Sequence, residues 1–245
     1  MKICGAQTKP VKGDISANIE NHKKLIDRAV ANRTDIVISP ELSLTGYEPE
    51  LARELAINQD DTRLDGLQEI SDAKKIAIGV GTPTQSDTSP RISTILFQPY
   101  QTRQTHSKRH LHSDEEKFFI RGANDYSIVD EKNNIALAIC YELSVPEHAE
   151  NAYRNGATTY IASVAKDASG VKNASERLAG IAHQYSMTVL MSNCMGQSSD
   201  FECVGNTSIW NNKGSLVGQL NDTKEGILII DTKTQEIIEE FLVRE

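Results

Sequence analysis

The chain has 245 residues, 38% hydrophobic and 24% charged, with 34 acidic against 26 basic side chains and a formal net charge of −8. That length has room for one large domain or two small ones. The acidic balance argues against a nucleic-acid partner, because neutralising phosphates needs a basic surface. No apolar run is long enough to span a bilayer, so no membrane association is expected. The N-terminus enters a strand-like stretch without a basic-then-apolar leader. The four cysteines, Cys4, Cys140, Cys194 and Cys203, lack CxxC spacing. A reduced, cytoplasmic setting is the expectation.

Short apolar runs alternate with helical patterns. Residues 3–8 read as a strand. Ser16 is placed to cap a helix over 17–32, with Ile19, Leu25, Ile26, Ala29 and Val30 near one face. A buried strand over 35–39 stops at Pro40. A helix over 64–75 leads into a strand at 76–80. Strands at 92–97 and 101–107 flank Gln98-Pro99-Tyr100 as a hairpin. Residues 126–129 and 134–139 suggest a second hairpin, turned by Glu131-Lys132-Asn133. A helix over 146–155, a strand over 158–163, a helix over 174–186 and a strand over 187–192 follow. Strands at 207–210, 216–219 and 226–230 make the C-terminal third hairpin-like. No tandem repeat, low-complexity tract or linker marks a boundary, so a single domain over 1–245 is expected. The mixture of βαβ units and hairpins suits an α/β fold of two sheets with helices outside them.

Three polar residues stand at inferred strand ends. Cys140 closes the apolar run 135–139, where a nucleophile can meet substrate but an inert core thiol also sits comfortably. Glu41 follows the strand ending at Pro40. Held in an apolar strand-end environment it would have the raised proton affinity a general base for a thiol needs; an exposed helix-capping glutamate is the alternative. Lys108 ends the strand at 101–107 and could stabilise an oxyanion, or could be a solvated loop lysine. His106, His110 and His112 invite a metal reading, but no cysteine or carboxylate pair completes a ligand spacing, and no metal is expected. The run from Asp114 to Glu116, before Phe118, Phe119 and Gly122, could form a second acidic site beside the first, or be an ordinary solvated face.

Together these blocks resemble the nitrilase, or carbon–nitrogen hydrolase, superfamily. Residues 40–47 are similar to its glutamate block, and Lys108 to Leu111 with Glu115 and Gly122 to its lysine block. Cys140-Tyr141-Glu142 through Pro146 and Glu147, then Asn155-Gly156-Ala157, is similar to its cysteine block. Residues 205–214 resemble its C-terminal hairpin. The chain departs at Ile181-Ala182-His183-Gln184, where many members carry Arg-Ala-x-Glu. The resemblance implies a four-layer α-β-β-α sandwich of two mixed sheets with helices on the outer faces. It makes Glu41 the general base, Lys108 the oxyanion stabiliser, Cys140 the nucleophile and Glu115 a supporting glutamate.

The same resemblance implies no cofactor, a small-molecule amide substrate and a homodimer or larger homo-oligomer. Cys140 followed by Tyr141 looks more like the amidase branches than the nitrilases, which more often carry tryptophan there. Nitrilase and N-carbamoyl amine hydrolase activities on the same site are alternatives, as is a catalytically silent binding protein on the fold. Tyr47, Tyr141, Glu142 and Lys166 are candidate substrate-binding residues, with Lys166 a possible partner for a substrate carboxylate.

Overall fold

The computed structural model describes residues 1–123, 128–130 and 134–242. In chain order its elements are β1 (Lys2–Gln7), α1 (Ile15–Ala31), β2 (Ile36–Ile38), α2 (Ala52–Leu55), α3 (Asp65–Lys74), β3 (Ala77–Thr84), β4 (Arg91–Phe97) and β5 (Gln104–Ser107). Then come β6 (Ile128–Asp130), β7 (Ile135–Ile139), α4 (Pro146–Arg154), β8 (Thr159–Val164), α5 (Ala168–Tyr185) and β9 (Thr188–Asn193). The chain closes with β10 (Met195–Ser198), β11 (Phe201–Val204), β12 (Ser208–Trp210), β13 (Leu216–Gln219), β14 (Gly226–Asp231) and β15 (Ile237–Phe241).

Two mixed sheets share one plan. In the first the order is β15-β14-β1-β2-β3-β4-β5, with β1, β2 and β3 parallel and antiparallel strands on both flanks. In the second the order is β13-β12-β9-β8-β7-β6, with β7, β8 and β9 parallel between antiparallel flanks. Parallel strands need long crossovers, which α1, α3, α4 and α5 supply. The C-terminal strands divide between the sheets: β12 and β13 extend the second, while β14 and β15 return to pair with β1 in the first.

Strand alternation sorts the core into three layers. Cys4, Val37, Ile78 and Ile227 face outward and pack under α1 and α3 through Ile19, Leu25, Ile26 and Leu67. The opposite faces of the same strands, Ile3, Ile36, Ile38 and Leu228, meet Leu137, Ile161, Leu190 and Ile209 of the second sheet. Beyond that sheet, Ala138, Tyr160, Ala162 and Val189 pack under α4 and α5 through Ala149, Ala152, Leu178 and Ala182. The result is the expected α-β-β-α sandwich. The sheets approach so closely that a Cβ on Gly5 would lie 2.8 Å from a methyl of Leu190.

Several boundaries differ from expectation. The cap of α1 is Asp14, whose carboxylate accepts from Ala17 N–H at 2.9 Å; Ser16 lies within the first turn. Helix α5 begins at Ala168 rather than Ala174, because Asp167 caps it by accepting from Gly170 N–H at 2.7 Å. Ser169 and Gly170, poor helix formers, hide that start. The β10–β11 ribbon and β15 carry no strong apolar alternation and were not expected. β6 pairs with β7 as the second hairpin requires, but its turn at Glu131-Lys132-Asn133 lies outside the described residues.

Gly81 on β3 lies against the backbone that presents Glu41. A Cβ there would come within 2.3 Å of Pro40 O and 2.5 Å of Leu42 N, neither able to move freely. Gly81→Ala is therefore expected to destabilise the protein by about 1–3 kcal/mol, in the range of overpacking. Chemical denaturation checks this; an unchanged midpoint would mean the strand end is not tightly set.

Candidate active site

Glu41, Lys108 and Cys140 each stand just past the C-terminal end of a strand, and the fold brings them together with Glu115. Glu41 follows β2 on a turn in which Leu42 adopts a left-handed φ of 50°. A chain of polar contacts locks that turn. Buried His22 is held neutral, its pKa lowered to about 4 by burial. Its Nδ1 is 2.6 Å from Asn18 O, which can only accept, so Nδ1 carries the proton. Nε2 then accepts from Ser43 Oγ at 2.9 Å, and Ser43 Oγ accepts from Gly81 N–H at 3.2 Å. From the other sheet, Ser163 Oγ donates to Ser39 O at 2.8 Å.

Lys108 is completely buried. Its ammonium donates to Glu41 Oε1 at 2.8 Å and Glu115 Oε1 at 2.7 Å. Burial opposes the charge, but the two carboxylates outweigh it and hold the lysine protonated well above its ordinary range. Glu115 also accepts from Tyr47 O–H at 2.9 Å and from His112 N–H at 2.8 Å. Its oxygens are thereby committed to position. Glu41 differs: its Oε2 is buried and has no hydrogen-bond partner among the described residues. Burial raises its proton affinity, against the pull of Lys108. An unpaired, buried carboxylate oxygen of raised basicity is suited to taking a proton.

Cys140 follows β7 and opens a tight turn, with a left-handed φ of 47°. That conformation is uncommon for a residue with a side chain, and such residues gather where function holds the backbone. Burial, and next the Glu41 carboxylate, push its thiol up to about 11, while Lys166 and Lys108 pull it down. The resting thiol is thus neutral near pH 7. Cys140 opens onto a cavity of about 650 Å³ walled by Tyr47, Phe118, Tyr141, Lys166 and Phe201.

Of the four sequence-predicted pocket residues, Tyr47, Tyr141 and Lys166 line this cavity and Glu142 does not. Glu142 is buried, and its carboxylate clasps backbone instead. It accepts from Ile139 N–H at 2.8 Å, Arg109 N–H at 2.7 Å and His110 N–H at 3.3 Å. It therefore ties the turn bearing Cys140 to the segment bearing Lys108. His106, His110 and His112 do not converge: no group of three or more metal-ligating side chains is found among the described residues. His112 pairs with Asp114 at 2.6 Å. No helix among the described residues is long and apolar enough to cross a membrane.

The cavity also draws on residues that sequence reasoning missed. Ser199, Asp200 and Phe201, at the tip of the β10–β11 ribbon, form one wall. Glu48 Oε1 anchors that tip by accepting from Ser199 N–H at 3.1 Å, and Phe201 meets Tyr47 edge-on at 5.5 Å. The signal available was the Ser198-Ser199-Asp200 turn between short alternating runs.

Glu142→Gln places an amide NH2 against an N–H donor and should cost about 1–3 kcal/mol, as for an unsatisfied buried polar group. Its Cys140 should also react more slowly with iodoacetamide, if the clasp sets the turn. In the intact protein, Cys140 alkylation is expected to keep accelerating with pH through 9 toward about 11, since its raised pKa delays thiolate formation. A rate that levels off below pH 8 would contradict the neutral resting thiol.

Comparison with known proteins gives a consistent family. The model described as "Carbon-nitrogen hydrolase" matches residues 2–239. A Staphylococcus aureus protein described as "Hydrolase in agr operon" is 25% identical over 244 residues, covering 97% of this chain and 93% of that protein. A glutamine-dependent NAD(+) synthetase from Synechocystis sp. is 29% identical over 154 residues, 58% of this chain and 27% of that enzyme. Among solved structures, an amidase from Nesterenkonia sp. superposes with a TM-score of 0.83 at 22% identity, over 94% of this chain and 89% of that one. An alanine-for-cysteine variant of the Nesterenkonia sp. AN1 amidase, in complex with butyramide, superposes with a TM-score of 0.83 at 20% identity, covering 94% and 90%.

Proposed function

The chain belongs to the carbon–nitrogen hydrolase family, and from that premise we propose that it is an amidase releasing ammonia or an amine from a small carboxamide through a thioester. The observation that carries this reading is the pairing of Lys108 with one oxygen of Glu41 while the other stays unpaired, beside a cysteine on a strained turn.

In this reading Glu41 Oε2 takes the Cys140 proton as sulfur attacks the amide carbonyl. The carbon–oxygen π electrons move onto oxygen. The oxyanion is held by the Lys108 ammonium and the Tyr141 backbone N–H. As the intermediate collapses, the C–N bond breaks, and Glu41 returns its proton to the leaving nitrogen. Water, deprotonated by Glu41, then attacks the thioester; the acid departs and the thiol is restored. Splitting one difficult step into two easier ones is the value of the covalent intermediate. Glu115 keeps Lys108 and Tyr47 in place and touches no reacting atom. The listless alternative, a binding protein without turnover, would have no use for an unpaired buried carboxylate beside a thiol.

The Nesterenkonia amidase bound to butyramide supports a small aliphatic amide as the probe to begin with. A screen for ammonia release over small amides, carbamoyl amines and nitriles tests the reading. Amides are expected to turn over and Cys140→Ala to fall to the blank. Lys108→Met is expected to lose about two to three powers of ten in kcat, the usual cost of an oxyanion donor. Full activity in Cys140→Ala would sink the proposal, and turnover of nitriles alone would move it to the nitrilase reaction.

A further inference from the structure

Two thiols behind the cavity wall take no part in that reaction. Cys194 directly follows β9, and Cys203 lies in β11. Gly205 N–H donates to Cys194 O at 2.9 Å, and Gly196 stands opposite Cys203. The two cysteines therefore sit diagonally across the base of the β10–β11 ribbon, where side chains on one face can meet. The Cys194 S–H donates to Cys203 Sγ at 3.0 Å, and Ser198 Oγ lies 3.5 Å from the same sulfur. Both cysteines are buried and free.

Their surroundings connect them to the cavity. Cys194 and Cys203 cluster with Ala165, and the rings of Tyr47 and Phe201 pack against that cluster. Ala165, Tyr47 and Phe201 also line the cavity. Residues that touch the thiols on one side thus face the cavity on the other.

The pair also differs chemically from the other two cysteines. The hydrogen bond from Cys194 pulls the Cys203 thiol below its ordinary range, against its burial. Cys140 is pushed up to about 11, and burial among the aliphatic side chains beneath α1 pushes Cys4 up as well. The thiolate is the form that attacks an oxidant, so Cys203 reacts first and the nucleophile Cys140 is spared. A second sulfur is then already in contact with the oxidised one.

We propose that Cys194 and Cys203 are a redox-modification site, a dithiol that closes to a disulfide with hydrogen peroxide and fixes the ribbon wall of the cavity. The Cys203 thiolate attacks one peroxide oxygen, the O–O bond breaks, and hydroxide departs from the sulfenic acid that forms. The Cys194 sulfur then attacks the Cys203 sulfur, and the S–O bond breaks as the oxygen leaves with the Cys194 proton as water. Two thiols are oxidised, and one peroxide is reduced to two waters. A dithiol reverses the bond by exchange. The closed ring spans residues 194–203, and so contains Ser199, Asp200 and Phe201 of the wall. The site is independent of the reaction assigned to Cys140.

The test treats the intact, fully reduced protein with a few equivalents of hydrogen peroxide, then alkylates the remaining thiols in denaturant. Cleavage after Asp200 and Glu202 severs the chain between the two cysteines, so only a disulfide keeps those fragments joined. Mass spectrometry is expected to find them joined and released by dithiothreitol, with Cys4 and Cys140 alkylated as in untreated protein. Cys203→Ser, or Cys203→Ala should the first fail to fold, is expected to lose thiols to peroxide at least about tenfold more slowly than the wild type. Fragments found separate while Cys140 is oxidised, or an unchanged rate in the folded variant, would overturn the site.

Amide hydrogen exchange across residues 195–203 reads the effect on the wall. Oxidation should slow it by at least about tenfold, since the cross-link removes local opening at the base of the ribbon. A disulfide that leaves exchange unchanged would overturn its hold on the wall.

Discussion

A fully buried ammonium shared between two carboxylates is the constraint around which the site is arranged. Lys108 reaches Glu41 and Glu115 at 2.8 and 2.7 Å with no access to solvent. Removing such a charge from water costs several kcal/mol per ion, so the geometry has to be close to ideal for the group to remain charged. That requirement propagates outward. Glu115 is held in turn by the Tyr47 hydroxyl and the His112 N–H, and Glu41 by a turn that His22, Ser43 and Gly81 lock. The cluster holds two carboxylates against one lysine. Glu115 meets hydrogen bonds on both oxygens, whereas Glu41 keeps one oxygen without a partner. The asymmetry separates a positioning carboxylate from one that can take a proton.

The topology explains why these residues meet. β1, β2 and β3 run parallel, and β5 runs the same way after two antiparallel reversals through β4. In the second sheet β7, β8 and β9 are likewise parallel. Two hydrogen bonds between the sheets fix their relative sense: Ser163, late in β8, reaches Ser39 just after β2, and Ser192, late in β9, reaches Ala6 late in β1. The C-terminal ends of both parallel sets therefore share one edge of the sandwich. Glu41, Lys108, Cys140 and Lys166 follow β2, β5, β7 and β8 respectively, so all four arrive at that edge.

Much of this was legible in the sequence because each main strand is a short apolar run that stops abruptly. The runs before Pro40, Lys108 and Cys140 could be read individually, and their endings flagged polar residues. Their convergence could not be read, since it depends on strand order and sheet stacking; it came from the family resemblance. The misreading of Glu142 has a related origin. It was a candidate pocket residue beside Tyr141, but the left-handed turn at Cys140 sends it inward to three backbone N–H groups. The β10–β11 ribbon was missed because only three of its eight strand residues are buried and its apolar residues do not form a run.

The clasp made by Glu142 has a consequence for how the site tolerates change. Lys108 and Cys140 come from different sheets, and their relative position would otherwise depend on the packing of side chains between the layers. Aliphatic packing is non-directional, and cores accept volume-conserving changes with small shifts of the backbone. A carboxylate that accepts from Ile139 N–H on one side and Arg109 N–H on the other is directional, so it ties the two strand ends at hydrogen-bond precision. Ser163 and Ser192 do the same for Glu41 and for the edge as a whole. The geometry of the site is thus set by polar ties between the layers, while the apolar layers supply the stability that lets those ties be buried.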